Sequence, residues 1–151
     1  MKYVIILFLL SFVIGCDVVE PTLLSGSVEE IPSEAFVNAA VSILHEEGYT
    51  IATVDHIAGL VTTEWRDESS YASQTFLDVS RRTRLSVVLD YYTYQVNVQM
   101  TKQKRGSEDP WRNDGLSSSD RDRMRLILVR IQQRAQAIAQ RDVVVANGEM
   151  G

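Results

Sequence analysis

The chain has little of several residue types whose abundance would define a class of protein. It contains one cysteine, three prolines, eight glycines and two histidines among 151 residues. A single cysteine excludes an internal disulfide framework, and the low proline and glycine content excludes collagen-like and low-complexity proteins. The motifs GxSxG, SxxK, HExxH, GxxxxGK and GxGxxG are all absent. The sequence therefore lacks the signatures of common hydrolases, metalloproteases and nucleotide-binding proteins.

One long apolar run is present, at the N-terminus. Residues 3–14 (YVIILFLLSFVI) follow Lys2 and contain only one polar residue besides the tyrosine. As a helix this run spans roughly 18 Å, whereas the hydrocarbon core of a bilayer is about 30 Å thick. A short apolar run after a positive charge is typical of a secretory signal segment, so residues 1–15 are predicted to be one.

The apolar run ends at the only cysteine. Val13-Ile14-Gly15-Cys16 resembles the bacterial lipobox, in which an aliphatic residue and two small or uncharged residues precede a cysteine. This resemblance implies that the Cys16 thiol is acylated, that residues 1–15 are removed, and that the chain is held at a membrane of the bacterial cell envelope with its domain facing the periplasm. Each buried methylene of an acyl chain contributes about 0.8 kcal/mol to such anchoring.

Two points about the anchor stay open in the sequence. An ordinary cleaved signal peptide followed by a buried free cysteine is the alternative to the lipobox interpretation. Asp17 resembles the inner-membrane retention signal of enteric lipoproteins. That rule varies among bacteria, so the sequence does not choose between the inner and the outer membrane.

The rest of the chain divides by composition into a linker, a domain and a tail. Residues 16–32 carry Pro21, Gly26 and Pro32 and show no sustained period, so they are predicted to be a lipidated tether. The domain is predicted over residues 33–141, followed by a flexible tail over residues 142–151.

Helical periodicity is present at both ends of the domain. From Ser33 onward, apolar and polar residues occupy opposite sides of a helix, which predicts an amphipathic helix over residues 33–47 that Gly48 terminates. Ser33 follows a proline and is the predicted N-cap of this helix. A second apolar arc begins at Met124 and predicts a helix over residues 118–140.

The segments between the helices show strand patterns. Four of them alternate in polarity or are rich in β-branched residues, namely residues 49–53, 60–66, 84–89 and 94–101. Strands with one apolar and one polar face predict an antiparallel sheet with one face in water. The predicted fold class is therefore α+β, in the order helix, four strands, helix, with both helices packed on one face of a four-stranded antiparallel sheet.

No set of side chains predicts catalysis. His45 and His56 lack any metal-ligand spacing to each other or to a cysteine, and Asp55, His56 and Glu64 are the only catalytic trio that can be suggested. Solvated surface positions explain these residues better. We expect no enzymatic activity, no metal and no cofactor.

Charge is divided unevenly along the chain. Residues 16–80 contain 1 basic and 12 acidic residues, whereas residues 81–141 contain 13 basic and 6 acidic residues. In a hairpin that turns at residues 90–93, Arg82 and Arg84 are predicted to approach Lys102 and Lys104. Such a basic hairpin base could bind an acidic partner, lipid phosphates or lipopolysaccharide. The alternative is a solvated surface that the chain's own acidic residues neutralise in part.

Aromatic residues are the other candidate interaction surface. Tyr92 lies in a turn that contains three tyrosines, and Trp111 lies in a polar loop. Tyrosine and tryptophan at such places are common interface anchors, although both can also cover the ends of a core. Nucleic acid is not expected as a partner, because the chain is acidic and carries an export signal.

The domain resembles a family of envelope lipoproteins in its order of motifs. A helix that ends in Gly-Tyr, the turn from Asp55 to Gly59, the strand that ends in Thr63-Glu64-Trp65 and a basic strand resemble the repeated domain of BamC, a lipoprotein of the outer-membrane β-barrel assembly machine. Related small uncharacterised proteobacterial lipoproteins share a similar order. The resemblance implies a non-enzymatic interaction or assembly module with an envelope protein as partner. The alternative is an accessory lipoprotein that handles lipid or lipopolysaccharide through the basic hairpin.

Overall fold

A computed structural model describes residues 23–70, 74, 75 and 77–148 of the chain, with side chains as far as residue 142. The predicted signal segment, Cys16 and Asp17 lie outside the described residues, as do residues 16–22 of the predicted tether. No helix within the described ranges combines the length and the apolar character that crossing a membrane requires.

The described chain folds into two helices and seven strands. The helices are α1 (Ser33–Glu46) and α2 (Ser118–Gly148). The strands are β1 (Leu23–Ser27), β2 (Ile51–Asp55), β3 (Leu60–Thr63), β4 (Arg66–Asp67), β5 (Val79–Asp90), β6 (Gln95–Gly106) and β7 (Arg112–Asn113). The α+β class with two helices and an antiparallel sheet is confirmed, but the predicted count of four strands is wrong.

All seven strands belong to one antiparallel sheet. The main path runs in the order β1, β6, β5, β3, β2, and the two-residue strands β4 and β7 pair with β5 and β6 respectively. The three strands that the sequence did not predict are β1, β4 and β7. The last two are too short to show a period, and β1 has the sequence LLSGS, in which a glycine and two serines hide the alternation.

Strand β1 changes the interpretation of the predicted tether. Leu23 to Ser27 pair in register with β6, from Leu23 opposite Gln99 to Ser27 opposite Gln95. Leu24 packs against the core, and Val28 continues the attachment by donating its backbone N–H to Tyr94 O at 2.8 Å. The sheet thus begins ten residues before the predicted start of the domain at Ser33.

The helix boundaries agree with the sequence at three of four ends. Helix α1 ends at Glu46, and Gly48 follows it with a φ of 79°, as expected for a glycine that terminates a helix. Ser33 is not the N-cap, because Pro32 occupies that position and no side chain caps the helix. Helix α2 continues to Gly148 and thus includes most of the residues predicted to form the tail.

The core lies between the helices and one face of the sheet. Alternate residues of β5 and β6 are fully buried there, and each helix contributes a buried stripe. Removing a large apolar side chain from water contributes about 1.5–3 kcal/mol, so this layer is the main source of stability. Its largest members are Phe36, Ile43, Leu44, Tyr49, Leu85, Leu89, Met100, Met124, Ile127 and Ile131.

A polar network fixes the start of α2 over β6. Asp120 accepts hydrogen bonds from Ser117 N at 2.8 Å and from Ser117 Oγ at 2.7 Å, and Asp120 N donates to Ser117 Oγ at 3.2 Å. This reciprocal pattern is a capping box in which aspartate replaces glutamate. The same carboxylate binds Lys102 Nζ of β6 at 2.7 Å, so one buried aspartate joins the helix to the sheet.

Candidate functional site

The register of the β5–β6 hairpin divides the predicted basic cluster between two faces. Arg82 lies opposite Gln103 and Arg84 lies opposite Thr101, whereas Thr83 lies opposite Lys102. Side chains alternate between the faces of a strand, and Thr83 is buried under the helices. Arg82 and Arg84 therefore lie on the open face of the sheet, and Lys102 and Lys104 lie on the helix side. The prediction that these four residues come together is wrong.

On the helix side the lysines are neutralised. Lys102 Nζ lies 2.7 Å from Asp120 Oδ2, and Lys104 Nζ lies 2.9 Å from Asp114 Oδ1. Arg81 also lies on this side and approaches Asp114 at 3.7 Å. Lys102 and Lys104 were predicted to belong to an interaction surface. In the structure both form ion pairs within the domain.

On the open face, arginines alternate with both tryptophans of the chain. The guanidinium carbon of Arg82 lies 4.2 Å from the ring centre of Trp65 and 4.0 Å from that of Trp111. Arg84 covers Trp65 at 4.8 Å, and Arg105 covers Trp111 at 4.6 Å. We call this row, in the order Arg84, Trp65, Arg82, Trp111 and Arg105, the tryptophan–arginine ladder.

A register shift turns Trp65 towards the ladder. Thr62 of β3 lies opposite Ser86, and Arg66 of β4 lies opposite Thr83. The chain therefore advances four positions from β3 to β4 while β5 advances only three. The extra residue lies in the break between β3 and β4, as in a β-bulge, which commonly re-aims a side chain. Without the shift, Trp65 would follow Val61 and Thr63 to the buried face.

No carboxylate neutralises the ladder among the residues that the structure describes. Arg82 donates from Nε and Nη2 to Gln103 Oε1, at 3.1 and 2.8 Å, which fixes its guanidinium plane between the two rings. Burial lowers the pKa of Arg82 below its ordinary value, and the charges of Arg105 and Arg84 add to this effect. Cation–π contacts of this kind are worth about 0.5–2 kcal/mol each. Three like charges are therefore held together by aromatic rings rather than by counterions.

A cavity of about 550 Å³ adjoins the end of the ladder at the base of the hairpin. Its wall includes Arg105 and Arg112, but also Asp78, Glu108 and Asp109. Because charges of both signs line it, the cavity has no evident preference for an anion. The surplus of positive charge lies on the ladder itself.

The opposite end of the sheet carries two turns of the same design. In the turn from Asp55 to Gly59, Asp55 Oδ1 accepts the backbone N–H groups of Ile57 and Ala58, both at 2.9 Å. In the turn from Asp90 to Tyr94, Asp90 Oδ1 accepts those of Tyr92 and Thr93, at 2.9 and 3.3 Å. Each turn joins two adjacent strands and ends in a residue with positive φ, which is 59° at Gly59 and 49° at Tyr94.

Both turns present a large apolar side chain to solvent. Ile57 is 92% exposed and Tyr92 is 98% exposed, and each lies two residues after the aspartate that closes its turn. The turns are neighbours, because Leu89 N donates to Gly59 O at 3.0 Å. Ser33 of α1 joins them, since its hydroxyl donates to His56 O and accepts from the Tyr91 hydroxyl. We call Ile57 and Tyr92 the apolar turn tips.

The suggested catalytic trio is split between the two ends of the β2–β3 pair, because Asp55 lies opposite Leu60 whereas Glu64 follows Thr63, which lies opposite Ile51. The Asp55 carboxylate closes its turn, and Glu64 lies exposed beyond the end of β3. Among the described residues, no group of three or more histidine, cysteine, aspartate or glutamate residues is placed to hold a metal ion.

Comparisons with known proteins give no family and no function. No family model matches the chain, and no curated protein matches it. Among solved structures, it is similar to a DUF4468 family protein from Bacteroides ovatus ATCC 8483. The identity is 17% and the TM-score is 0.34, over 82% of this chain and 84% of that chain.

The sequence does not predict a functional role for three of these residues, namely Trp65, Arg105 and Ile57. Trp65 lies at the end of a predicted strand and Arg105 lies at the base of the predicted hairpin, and no local pattern joins either of them to Trp111. Ile57 has one signal in the sequence, because the spacing from Asp55 to Ile57 matches that from Asp90 to Tyr92. Of the predicted surface, the structure brings Arg82, Arg84 and Trp111 together and places Tyr92 at the other end of the sheet.

Proposed function

We propose that this chain is a non-enzymatic lipoprotein of the bacterial cell envelope. In this proposal the acylated Cys16 holds it at a membrane, and the domain acts in the periplasm as an interaction module for a protein partner in an envelope assembly. The lipobox-like Val13-Ile14-Gly15-Cys16 and the BamC-like order of motifs support it.

The exposure of the apolar turn tips is the observation that carries this proposal. A tyrosine and an isoleucine that are 98% and 92% exposed cost hydrophobic free energy in the isolated domain. Both are mounted on turns that an aspartate closes and that Ser33 ties together, so their positions are fixed before any partner binds. Large side chains on rigid supports are typical interface hot spots, because little conformational entropy is lost when they are buried.

A capture experiment tests the proposal. The chain is extracted from membranes in mild detergent after cross-linking, and proteins recovered in stoichiometric amount are identified by mass spectrometry. We expect a defined envelope protein to be recovered with the natural chain and to be lost with the double substitution Ile57→Ser and Tyr92→Ser. Truncating two hot-spot side chains of this kind lowers affinity by about 30-fold or more, at about 1–2 kcal/mol each.

Leu126→Ser is the matched control. Leu126 is an apolar residue of α2 that is 53% exposed and lies outside both turns, so this substitution should leave the recovery unchanged. A strictly monomeric chain without partners, or equal loss in the control and in the double variant, would contradict the proposal.

The alternative is an accessory lipoprotein that handles lipid or lipopolysaccharide. The tryptophan–arginine ladder favours this candidate, because Arg82, Arg84 and Arg105 lack carboxylate partners among the described residues. Lys102, which was expected to contribute, is paired with Asp120 on the other side of the sheet.

Lipid transfer distinguishes this alternative from the first. If the chain handles single lipid molecules, it should accelerate exchange of a labelled anionic lipid between vesicles, and Arg84→Glu should reduce the rate severalfold. Lys104→Glu, on the helix side, should have a smaller effect. No acceleration by the natural chain rejects the alternative.

A further inference from the structure

The three cations of the ladder stack on tryptophan rings but have no carboxylate partner among the described residues. Most basic side chains on the helix side meet a carboxylate, whereas none of the described carboxylates pairs with Arg82, Arg84 or Arg105. Arg84 and Arg105 are exposed, so the packing of the core does not require positive charges at these positions. Holding three like charges in one row is unfavourable until an anion joins them.

The geometry of the row favours phosphate over other ligands. Trp65 has Arg84 and Arg82 over it, and Trp111 has Arg82 and Arg105. Because guanidinium groups already stack on the indoles, sugar rings and nucleobases would have to displace an arginine in order to stack there. Arg84 and Arg105 still offer N–H donors in the fork geometry that binds phosphate oxygens in pairs, whereas Nε and Nη2 of Arg82 already donate to Gln103.

The tryptophan–arginine ladder lies towards the end of the sheet from which β1 leads back along the chain to Cys16, which favours membrane lipids as the source of the phosphate groups. Strand β1 runs antiparallel to β6 from Leu23, opposite Gln99, to Ser27, opposite Gln95. At Leu23 the strand therefore points back towards the base of the hairpin, where Arg105 and Trp111 lie. Seven peptide steps separate Cys16 from Leu23. Such a segment reaches at most about 25 Å.

We propose that the tryptophan–arginine ladder binds the phosphate groups of anionic lipid headgroups in the membrane to which the chain is anchored. The inference rests on the proposed attachment at Cys16, which would keep the ladder within reach of that surface. Tryptophan and arginine both suit the headgroup region, tryptophan as an amphipathic ring and arginine as a partner of lipid phosphate. The apolar turn tips, at the other end of the sheet, would then point away from the membrane.

The tryptophan fluorescence of the chain reports on this site alone. The chain has two tryptophans, and both belong to the ladder. The full chain is reconstituted into neutral phosphatidylcholine vesicles and into vesicles with 30% phosphatidylglycerol, about the charge density of an anionic leaflet. We expect a blue-shifted tryptophan emission and weaker acrylamide quenching in the anionic vesicles only. High salt should remove most of the difference, because screening weakens headgroup attraction.

Substitutions distinguish the contribution of the ladder arginines to membrane binding from the contribution of net charge. The comparison between the two vesicle types is repeated for Arg84→Gln, for Arg84→Gln with Arg105→Gln, and for Arg84→Lys. Each lost arginine should weaken binding to the anionic surface roughly fivefold, and Arg84→Lys should restore part of the effect. The control is Lys104→Gln, which removes the same charge from the helix side of the sheet.

The other outcomes overturn the inference in distinct ways. Equal emission in neutral and anionic vesicles shows that the ladder does not contact headgroups, and equal weakening by Lys104→Gln shows that only net charge matters. An emission change caused by soluble glycerol phosphate in neutral vesicles would assign the site to a free phosphate compound instead. Failure of the full chain to float with neutral vesicles counts against the Cys16 anchor, and capture through the turn tips is tested separately.

Discussion

The positions of the apolar turn tips depend on single residues in the two turns, above all on Gly59. Gly59 has a φ of 59° and lies against Tyr91, whose hydroxyl is bonded to Ser33. A Cβ at this position would lie 2.5 Å from Tyr91 Oη and 3.0 Å from Cζ. The glycine thus allows the β2–β3 turn to approach the β5–β6 turn. Tyr94 ends its own turn at a φ of 49° without that freedom.

Gly59→Ala should lower the free energy of unfolding by at least about 1–2 kcal/mol, because alanine is strained at positive φ and its methyl group would displace Tyr91. Urea unfolding followed by tryptophan emission measures the loss. Gly115→Ala is the control, since a Cβ there has no neighbour within 4 Å. That substitution should change stability by less than about 0.5 kcal/mol. Equal effects at the two glycines would show that the turns are not packed as described.

At the scale of elements, the ion pair between Asp120 and Lys102 joins α2 to β6. Both side chains are largely buried, with 6% and 14% of their surfaces exposed. Burial raises the pKa of the Asp120 carboxyl, but hydrogen bonds from Lys102 and Ser117 outweigh it, and the pKa lies below its ordinary value. A carboxyl with a lowered folded-state pKa stabilises the fold above its unfolded pKa, and this contribution is lost as the pH falls through the folded-state pKa.

Asp120→Asn should therefore reduce the unfolding free energy at pH 7 by about 3 kcal/mol, because Lys102 is left charged and unpaired under the helix. The difference from the natural chain should shrink as the pH falls below about 3.9. Urea unfolding across this pH range checks both statements. Asp122→Asn is the control: Asp122 pairs with Arg125 in an exposed i,i+3 contact, which is worth less than about 1 kcal/mol. A pH-independent loss at Asp120 would mean that the charge is unimportant.

The elements also show how far the sequence predicts this fold. The strong periodicity of the sequence predicts α1 and the core strands. The structure confirms this prediction, because the apolar residues of these elements are buried. The hairpin register differed by one residue from the prediction, and that single step moved Arg82 and Arg84 to the face opposite Lys102. The register shift that turns Trp65 outward depends on tertiary pairing with β5, so no local signal could reveal the ladder as a unit.

At the scale of the whole molecule, the uneven charge of the sequence is balanced in space. Arg130 of α2 bonds to Glu46 and Glu47 at the end of α1, and Arg134 bonds to Glu46 at 3.1 Å. Arg123 pairs with Glu68 at 2.8 Å. The basic second part of the chain thus neutralises much of the acidic first part along the helix pair. The three ladder arginines are exceptions to this balance among the described cations.

The pairing of the two helices has a consequence for the order in which the chain can fold during synthesis. The residues joined between α1 and α2 are 83 to 92 positions apart. When the ribosome has made the acidic first part, neither the cations that neutralise it nor the apolar stripe that covers α1 exists. The central hairpins can form early from local contacts, but the core can close only after α2 emerges. If the chain is exported, as proposed above, it would stay open until α2 has been made, which is the state that a translocation channel requires.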